Sequence, residues 1–556
     1  MNVPIDPGWL TLLPPILAIV LALIFREVIL SLFAGIWLGA LLLNDWNPAI
    51  ATLRAFDQFA LGALSSDADH VAIVFFSMML GGMVGVMSRS GGTRGIVEAL
   101  RPLATSARRA QFFSWLAGII IFFDDYANTL IVGNTMRPVT DRLSVSREKL
   151  SYIVDSTAAP MAAIAVISTW VGFEISLIGD ALNAAAAQTT DATMAAGLRA
   201  GGANPFNVFL HSIPFLFYPI FALIFVLMTC LTDREFGPMH RAESRARAGG
   251  GVLRPGSMPA ADVSGGIMEP PETAPRRWVN AGLPILIVIV TALIGIYYTG
   301  AAALEAGSAR TLRNIVGGAD PYRTLIWASS AGVTAALILA VAQRILSLTA
   351  ALEAWIGGMR AMLLAVVILI LAWGLGDVTE ALGTGPYISG LLQDTLPLQL
   401  LPVLVFIVAA ATSFATGTSW GTMAILFPVV IPLAVAMGAG IGFGGEEYTL
   451  LLGVISSVMA GSIFGDHCSP ISDTTVMSSM ASACDHIDHV RTQLPYALVV
   501  AVVAMAVGDI GTSYGLSPWI ALPLGVVILF LVLRVFGKPV TVTPAASGRA
   551  REVVQV

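Results

Sequence analysis

Five aspartates stand inside stretches that are otherwise almost wholly apolar: Asp124 and Asp125 in "IIIFFDDYANTLIVG", Asp155 in "YIVDSTAAP", and Asp466 and Asp473 in "GDHCSPISDTT". An ionised side chain at the centre of a bilayer costs about 2.5–3.5 kcal/mol on an insertion scale, so carboxylates kept there serve a purpose beyond structure. No Lys or Arg lies beside these motifs in sequence, and only a snorkelling Arg137 or Arg360 offers an internal counter-charge. The remaining ways to tolerate a buried carboxylate are to protonate it or to bind a cation. A group that does each in turn exchanges a proton against a metal ion at one site.

Oxygen donors cluster around these carboxylates: Asn128, Thr129, Ser156 and Thr157 in the first half, and Thr418, Ser419, Ser469, Ser472, Thr474 and Thr475 in the second. Hard cations such as sodium take several oxygen ligands, and carbonyls freed at helix breaks add more. Each hydroxyl also has a plainer use as the cap of a half-helix. Asp124 has the same double reading, because it precedes a half-helix and suits its N-cap. Asp155 and Asp466, each a few residues before a proline, carry the stronger case for function.

The elements that must hold these residues follow from composition. With 556 residues, 56% hydrophobic and 12% charged, and a mean hydropathy of +0.82, the chain is too apolar for a soluble protein. It reads as an all-α polytopic membrane protein, with about 11 transmembrane helices, two re-entrant hairpins and interrupted helices. The start, "MNVPIDPGWL", lacks the basic residues of a cleaved signal peptide, so the first span is expected to stay. Cys230, Cys468 and Cys484 are scattered and imply neither a disulfide framework nor a zinc site.

Basic residues set the expected orientation. The first spans, 9–25, 27–43 and 70–88, are joined by a turn with Arg26 and an acidic loop, 44–69; the loop 89–109 then carries five arginines. The positive-inside rule makes the Arg26 turn and the 89–109 loop cytoplasmic and puts the N-terminus outside. Residues 110–136 leave the cytoplasm, yet Arg137, Arg142, Arg147 and Lys149 follow, so this segment is expected to turn back at "FDDYAN" as a re-entrant hairpin. The chain then crosses through the interrupted segment 148–180, returns through 206–231 and reaches 232–277, whose Arg, Gly and Pro content reads as a flexible cytoplasmic linker.

The second half repeats this order. Spans at 280–299, 322–346 and 360–376 lead to an acidic loop, 377–399, a second hairpin, 400–436, with its turn at "TSFATGTSWGT", and an interrupted segment, 448–483. Spans at 493–508 and 517–536 close the chain with Lys538, Arg549 and Arg551 in the cytoplasm. Superposing Pro138 on Pro428 sets Asn128-Thr129 on Thr418-Ser419, and Pro160 on Pro470 sets Ser156 on Asp466. About five crossings and one hairpin per half give the halves opposite orientation, the inverted-repeat architecture of secondary transporters. The expected domains are a membrane repeat, 1–231, the linker, 232–277, an inverted membrane repeat, 278–510, and an extra helix with a tail, 511–556.

Other chemistry finds less support. "CDHIDH" at 484–489 lacks a second Cys/His pair and reads as a solvated helix start, with a weaker reading of its histidines as a pH sensor. The absence of a GxxxxGK[ST] loop removes the case for ATP-driven pumping. An intramembrane enzyme would need an oriented nucleophile and base, and neighbouring His467 and Cys468 do not face each other on a helix. No cofactor and no nucleic-acid partner are expected.

"FFDDYANTLIVGNTMRPVTDR…SREKLSYIVDSTAAP", followed far downstream by "FATGTSWGT" and "GDHCSPISDTTVMSSMAS", resembles the NhaC-type sodium/proton antiporter family of the ion transporter superfamily, over residues 70–510 and in order. The resemblance implies an inverted-repeat fold with a scaffold, a moving transport part and often a homodimer, acting on sodium ions and protons in the lipid bilayer. Its matching positions are Asp124, Asp125, Asn128, Thr129, Asp155, Ser156, Thr157, Thr418, Ser419, Asp466, His467, Ser469, Asp473 and Thr474. The expected function is exchange of sodium for protons across the plasma (cytoplasmic, inner) membrane, with Asp125, Asp155, Asp466 and Asp473 as sodium ligands. The alternative is coupled transport of a small organic carboxylate or amino acid held by half-helix N-termini, as relatives that exchange malate and lactate suggest.

Overall fold

The computed structural model describes residues 8–25, 27–65, 68–259, 274–304, 310, 315, 319–384, 387, 397–440 and 446–540. Long runs of Leu, Ile, Val, Ala and Phe in a medium without water must satisfy their backbone internally, and they do so as helices. The first half comprises α1 (Leu13–Phe25), α2 (Val28–Leu43), α3 (Ala68–Arg89), α4 (Ala107–Ile120), α5 (Asp125–Arg142), α6 (Arg147–Thr157), α7 (Ala159–Ile164), α8 (Val171–Gln188), α9 (Phe217–Thr232) and α10 (Gly237–Arg247). The second comprises α11 (Val279–Ala303), α12 (Pro321–Ala342), α13 (Leu348–Ala361), α14 (Leu363–Ala381), α15 (Leu401–Thr416), α16 (Ser419–Ala436), α17 (Glu446–Cys468), α18 (Asp473–Ala481), α19 (His486–Val503) and α20 (Pro518–Phe536), with short helical turns between them.

Among the described residues nine helices are long and apolar enough to cross a bilayer, and a bent pair, Pro205–Phe215 with Phe217–Thr232, adds a tenth. The chain is therefore an all-α, multi-pass membrane protein. The two arms of the second expected hairpin, α15 and α16, are among the nine, whereas α4 and α5 of the first are not. The 48° bend of the pair falls between Pro214 and Pro219, where missing N–H donors interrupt the helix. The Arg26 turn, parts of the two acidic loops and the basic tail beyond residue 540 lie outside the described residues.

The two halves use the same set of pairings. In the first, α4 and α5 pack on each other and both pack on α6; in the second, α15 and α16 do the same with α17. Each second hairpin arm also crosses to the other half, α5 onto α18 and α16 onto α8. Each hairpin touches a connection of its own half: Thr169 N–H, between α7 and α8, donates to the Phe123 carbonyl at 2.9 Å, and Ser469 Oγ, between α17 and α18, donates to the Phe414 carbonyl near the end of α15 at 2.7 Å.

Residues 234–259 depart from the expected flexible linker. Arg234–Glu235 pair antiparallel with Lys538–Pro539, and α10 follows with Met239, Ala242, Glu243 and Ala246 buried. Glu235 meets the buried Lys149 ammonium at 2.7 Å and accepts from Tyr496 Oη at 2.6 Å. Arg245 pairs with Glu148, Arg247 with Asp233 and Glu243, and Arg254 with Asp488. Arg, Gly and Pro suggested a loose tether, but the charges have fixed partners elsewhere in the chain, and burying them holds the segment against α6 and α19. Burial pushes the Glu243 carboxyl up from the usual range, against the pull of Arg247.

Candidate functional site

Helix boundaries organise the carboxylates into two kinds of position. Asp125 and Asp473 are the first residues of α5 and α18, where free N–H groups and the helix dipole favour negative charge. Asp155 and Asp466 stand two residues before the ends of α6 and α17, where free carbonyls already supply partial negative charge. A carboxylate among carbonyls is a poor place for an anion and a good one for a cation. These ends pair Asp155 with Asp466, one residue from the register the prolines suggested. Pro160 lies inside α7 whereas Pro470 lies within the break, so the two prolines follow their breaks at different distances. The helix starts likewise set Asp125 opposite Ser419, one turn from the proline register of Asn128-Thr129 on Thr418-Ser419.

Asp155 Oδ2 accepts from Gln493 Nε2 at 2.6 Å and Thr475 Oγ1 at 3.2 Å, and stands 3.9 Å from His467 Nε2 and 3.8 Å from His489 Nε2. Asp466 Oδ2 accepts from Thr474 Oγ1 at 3.1 Å, and Thr474 in turn meets Ser472 Oγ at 3.0 Å. Ser156 Oγ lies 3.1 Å from His467 Nε2, whose Nδ1 meets Tyr218 Oη at 2.7 Å. Gln493 also donates to the His467 carbonyl, so both acceptors on its Nε2 fix the amide with Oε1 turned to His489. The network thus joins the end of α6, the end of α17, the start of α18 and the middle of α19.

At the first hairpin Asp124 is the N-cap of α5, since its carbonyl accepts from Asn128 N at 3.0 Å. Asn128 Nδ2 donates to the carbonyls of Gly118 and Ile121, at 2.7 and 3.2 Å, and of Thr157 at 2.8 Å. It thereby ties α4 and the end of α6 to α5. Its Oδ1 is buried with no hydrogen-bond partner among the described residues. Thr129 and Thr157 spend their hydroxyl protons on the carbonyls of Asp125 and Ile153, which leaves oxygen lone pairs for a cation. Gly118 makes this close approach possible, because a Cβ there would fall 2.1 Å from Thr157 Oγ1.

The second hairpin supplies its own oxygens. Thr418 caps α16 by accepting from Gly421 N at 3.4 Å, and Ser419 and Ser413 both donate to the Ser462 carbonyl, at 3.4 and 2.6 Å. Ser469, Ser419, Asp124, Asp125, Asn128, Thr129, Asp155, Ser156, Thr157, Asp466 and Thr474 are all buried, whereas Thr418 is half-buried. The Asp473 side chain lies outside the described residues. Direct hydrogen bonds link Asp466 with Thr474, Ser156 with His467 and Asn128 with the end of α6. Thr418, Ser419 and Ser469 bond within the second hairpin and α17 instead.

Gln493 and Glu174 escaped the sequence reading, and His489 was singled out there without its connection to Asp155. Gln493 lies within α19 and His489 in its first turn, and their connection to Asp155 spans more than three hundred residues. "CDHIDH" is a helix start, with Asp485 as N-cap, but His489 is buried rather than solvated and meets Ser479 Oγ at 2.9 Å. Glu174, in the first turn of α8, is fully buried and neither carboxylate oxygen has a hydrogen-bond partner among the described residues. The rule that singled out the aspartates applies to it equally, because "WVGFEISLIG" is an apolar run with one ionisable side chain.

Known proteins share this chain's sequence and fold. A protein of Haemophilus influenzae without an assigned function is 34% identical over 94% of this chain and 95% of its own length. A malate-2H+/Na+-lactate antiporter of Bacillus subtilis is 28% identical over 31% of this chain and 41% of its own. The crystal structure of the YdaH transporter of Alcanivorax borkumensis shares the fold, with a TM-score of 0.56 at 16% identity over 84% of this chain and 90% of that one. The family described as the Na+/H+ antiporter family matches residues 161–508, more than half of the chain, a stretch that includes the end of α17 with Asp466 and the start of α18. By that match this multi-pass membrane protein belongs to the Na+/H+ antiporter family.

Proposed function

We propose that the chain exchanges sodium ions for protons across the cytoplasmic membrane, with Asp125, Asp155, Asp466 and Asp473 taking proton and cation in turn. The observation that carries this reading is the placement of Asp155 and Asp466 at the carboxyl ends of two interrupted helices, where carbonyl dipoles and a carboxylate together favour a cation. With sodium bound the carboxylates are ionised and their charge is offset by the ion. When the ion leaves, a proton takes over the same task, since an empty anionic site in low dielectric is costly. The site then crosses the membrane loaded with one or the other and not empty, which is the requirement of exchange. Asn128 Oδ1, the lone pairs of Thr129 and Thr157, and the hydroxyls of Ser156, Thr418, Ser419, Ser469 and Thr474 supply further oxygens. Asp124 serves as N-cap of α5.

Orientation and assembly belong to the same proposal. Arg147, Arg245, Arg247 and Arg254 gather where the Lys538–Pro539 strand docks on Arg234–Glu235, so the positive-inside rule puts the C-terminal end in the cytoplasm and the N-terminus outside. At the far end of α3 from Arg89, His70, Asp180, Asp377 and Glu380 line a cavity of about 230 Å3, an acidic counterpart that suits the outer face. The repeats are inverted about the midplane, the first hairpin re-enters at Asp124, and two copies form a homodimer in this reading.

Everted vesicles with a pH-sensitive dye test it. Sodium alone, without an organic solute, is expected to move protons in vesicles that contain the protein and not in those that lack it. If sodium moves none until malate, lactate or an amino acid is added, the chain is a coupled exchanger of organic solutes, the activity for which the Bacillus subtilis relative is named.

A further inference from the structure

An apolar cavity of about 500 Å3 opens behind the first hairpin turn. One wall is Phe122, beside the "DD" pair, with Met161 and Val166 from α7 and the break that follows it; the other is Ala292 and Leu293 of α11 and Leu325 of α12. The walls belong to different packed groups, since α11 packs on α3 and α12 while α7 packs on α6 and α9. Among the described residues Thr324 is the one polar side chain in the lining. A water needs two to four polar partners to stay in a cavity, so water does not fill this one. A void of this size would also forfeit the dispersion contacts of every wall atom.

The surroundings specify an occupant. The span containing α11 is only 33% buried, and Leu286, Leu293, Ile294, Tyr297 and Tyr298 of this helix are between 54% and 66% exposed. In a membrane protein that face meets lipid tails. Ala292 and Leu293 sit at the middle of α11, and Leu293 and Val166, 63% and 40% exposed, flank the cavity's mouth at that depth. Hydrocarbon is the medium there, it is as apolar as the lining, and the volume falls within the range of about 300–1,000 Å3 typical of ligand pockets.

We infer that an acyl chain of a bilayer phospholipid enters between Leu293 and Val166 and fills this cavity, so that fluid hydrocarbon separates the broken segment after α7 from the α11–α12 pair. The protein reconstituted in phosphatidylcholine vesicles carrying a photoreactive diazirine at mid-chain tests this, with labelled sites mapped by mass spectrometry. Label is expected on Phe122 and Met161 as well as on the outward residues Leu286 and Ile294. Ala292→Trp, which fills the cavity from α11, and Ala165→Leu, which fills it from the break, should each reduce labelling of Phe122 and Met161 at least fivefold and leave Leu286 and Ile294 unchanged. The outward label shows that each variant is folded in the bilayer. Label confined to Leu286 and Ile294 in the wild type overturns the inference, as does label on Phe122 that survives both fillings. Loss of inner label on adding an organic substrate would assign the cavity to a substrate's apolar part, and cross-links between two copies through Leu293 would assign it to a dimer; either also overturns it. The labelling reads occupancy whatever the transported ion, so its failure is separate from a failure of sodium/proton exchange.

Discussion

Asp155 and Asp466 hold the same place in two broken helices and keep different company. Asp155 receives an amide N–H from Gln493 and a hydroxyl from Thr475, with the imidazoles of His467 and His489 within 4 Å. Asp466 receives the hydroxyl of Thr474, itself part of a Ser472–Thr474 pair at the start of α18. The two carboxylates occupy matching helix-end positions, and it is side chains of the second half that make their surroundings differ. An amide and two imidazoles beside a carboxylate are groups that donate or accept protons, whereas a hydroxyl beside one, as Thr474 is beside Asp466, is an oxygen donor of the kind hard cations take. In the exchange we propose, that difference puts Asp155 nearer the proton and Asp466 nearer the ion.

That division can be broken at several points. Asp466→Asn and Asp155→Asn should each lower sodium-driven proton flux more than a hundredfold, with Asp466→Asn abolishing sodium binding in the purified protein and Asp155→Asn weakening it less. Glu235→Ala leaves the buried Lys149 ammonium without its partner, and removing one member of a buried pair costs about 3–5 kcal/mol. Its melting temperature should fall sharply while the ion ligands stay intact. Gln493→Leu takes one hydrogen bond from a charged group, worth about 1.5–3 kcal/mol, and should lower exchange at least tenfold with sodium affinity little changed. Gly118→Ala forces a Cβ against Thr157 Oγ1 and should cost about 1–3 kcal/mol of stability by thermal unfolding, recovered in part when Thr157→Ala is added. Asp124→Asn should change exchange least, within about twofold, because asparagine caps a helix about as well as aspartate.

The membrane class, the turns between paired helices and the helix interruptions were legible in the sequence because apolar run length and the polar residues that break it are local signals. Both "FDDYAN" and "TSFATGTSWGT" do mark turns between packed helices. The pairing of Asp155 with Asp466 was misread by one residue because prolines mark the neighbourhood of a break and not its edge. The docked segment 234–259 was missed because its composition is that of a tether, while its partners Lys149, Glu148, Tyr496 and Asp488 are distant in sequence. Gln493 carries no local mark, and His489 was marked only by "CDHIDH", since an amide and an imidazole in a helix become neighbours of a distant carboxylate only through packing.

Sodium binding by the purified protein, measured by calorimetry at mildly acidic and mildly alkaline pH, tests the central claim most directly. If proton and sodium share the carboxylates, apparent sodium affinity rises as pH rises, each sodium bound releases protons to the buffer, and both effects disappear in Asp466→Asn. Sodium affinity that does not change with pH, with no proton released on binding, would contradict the account.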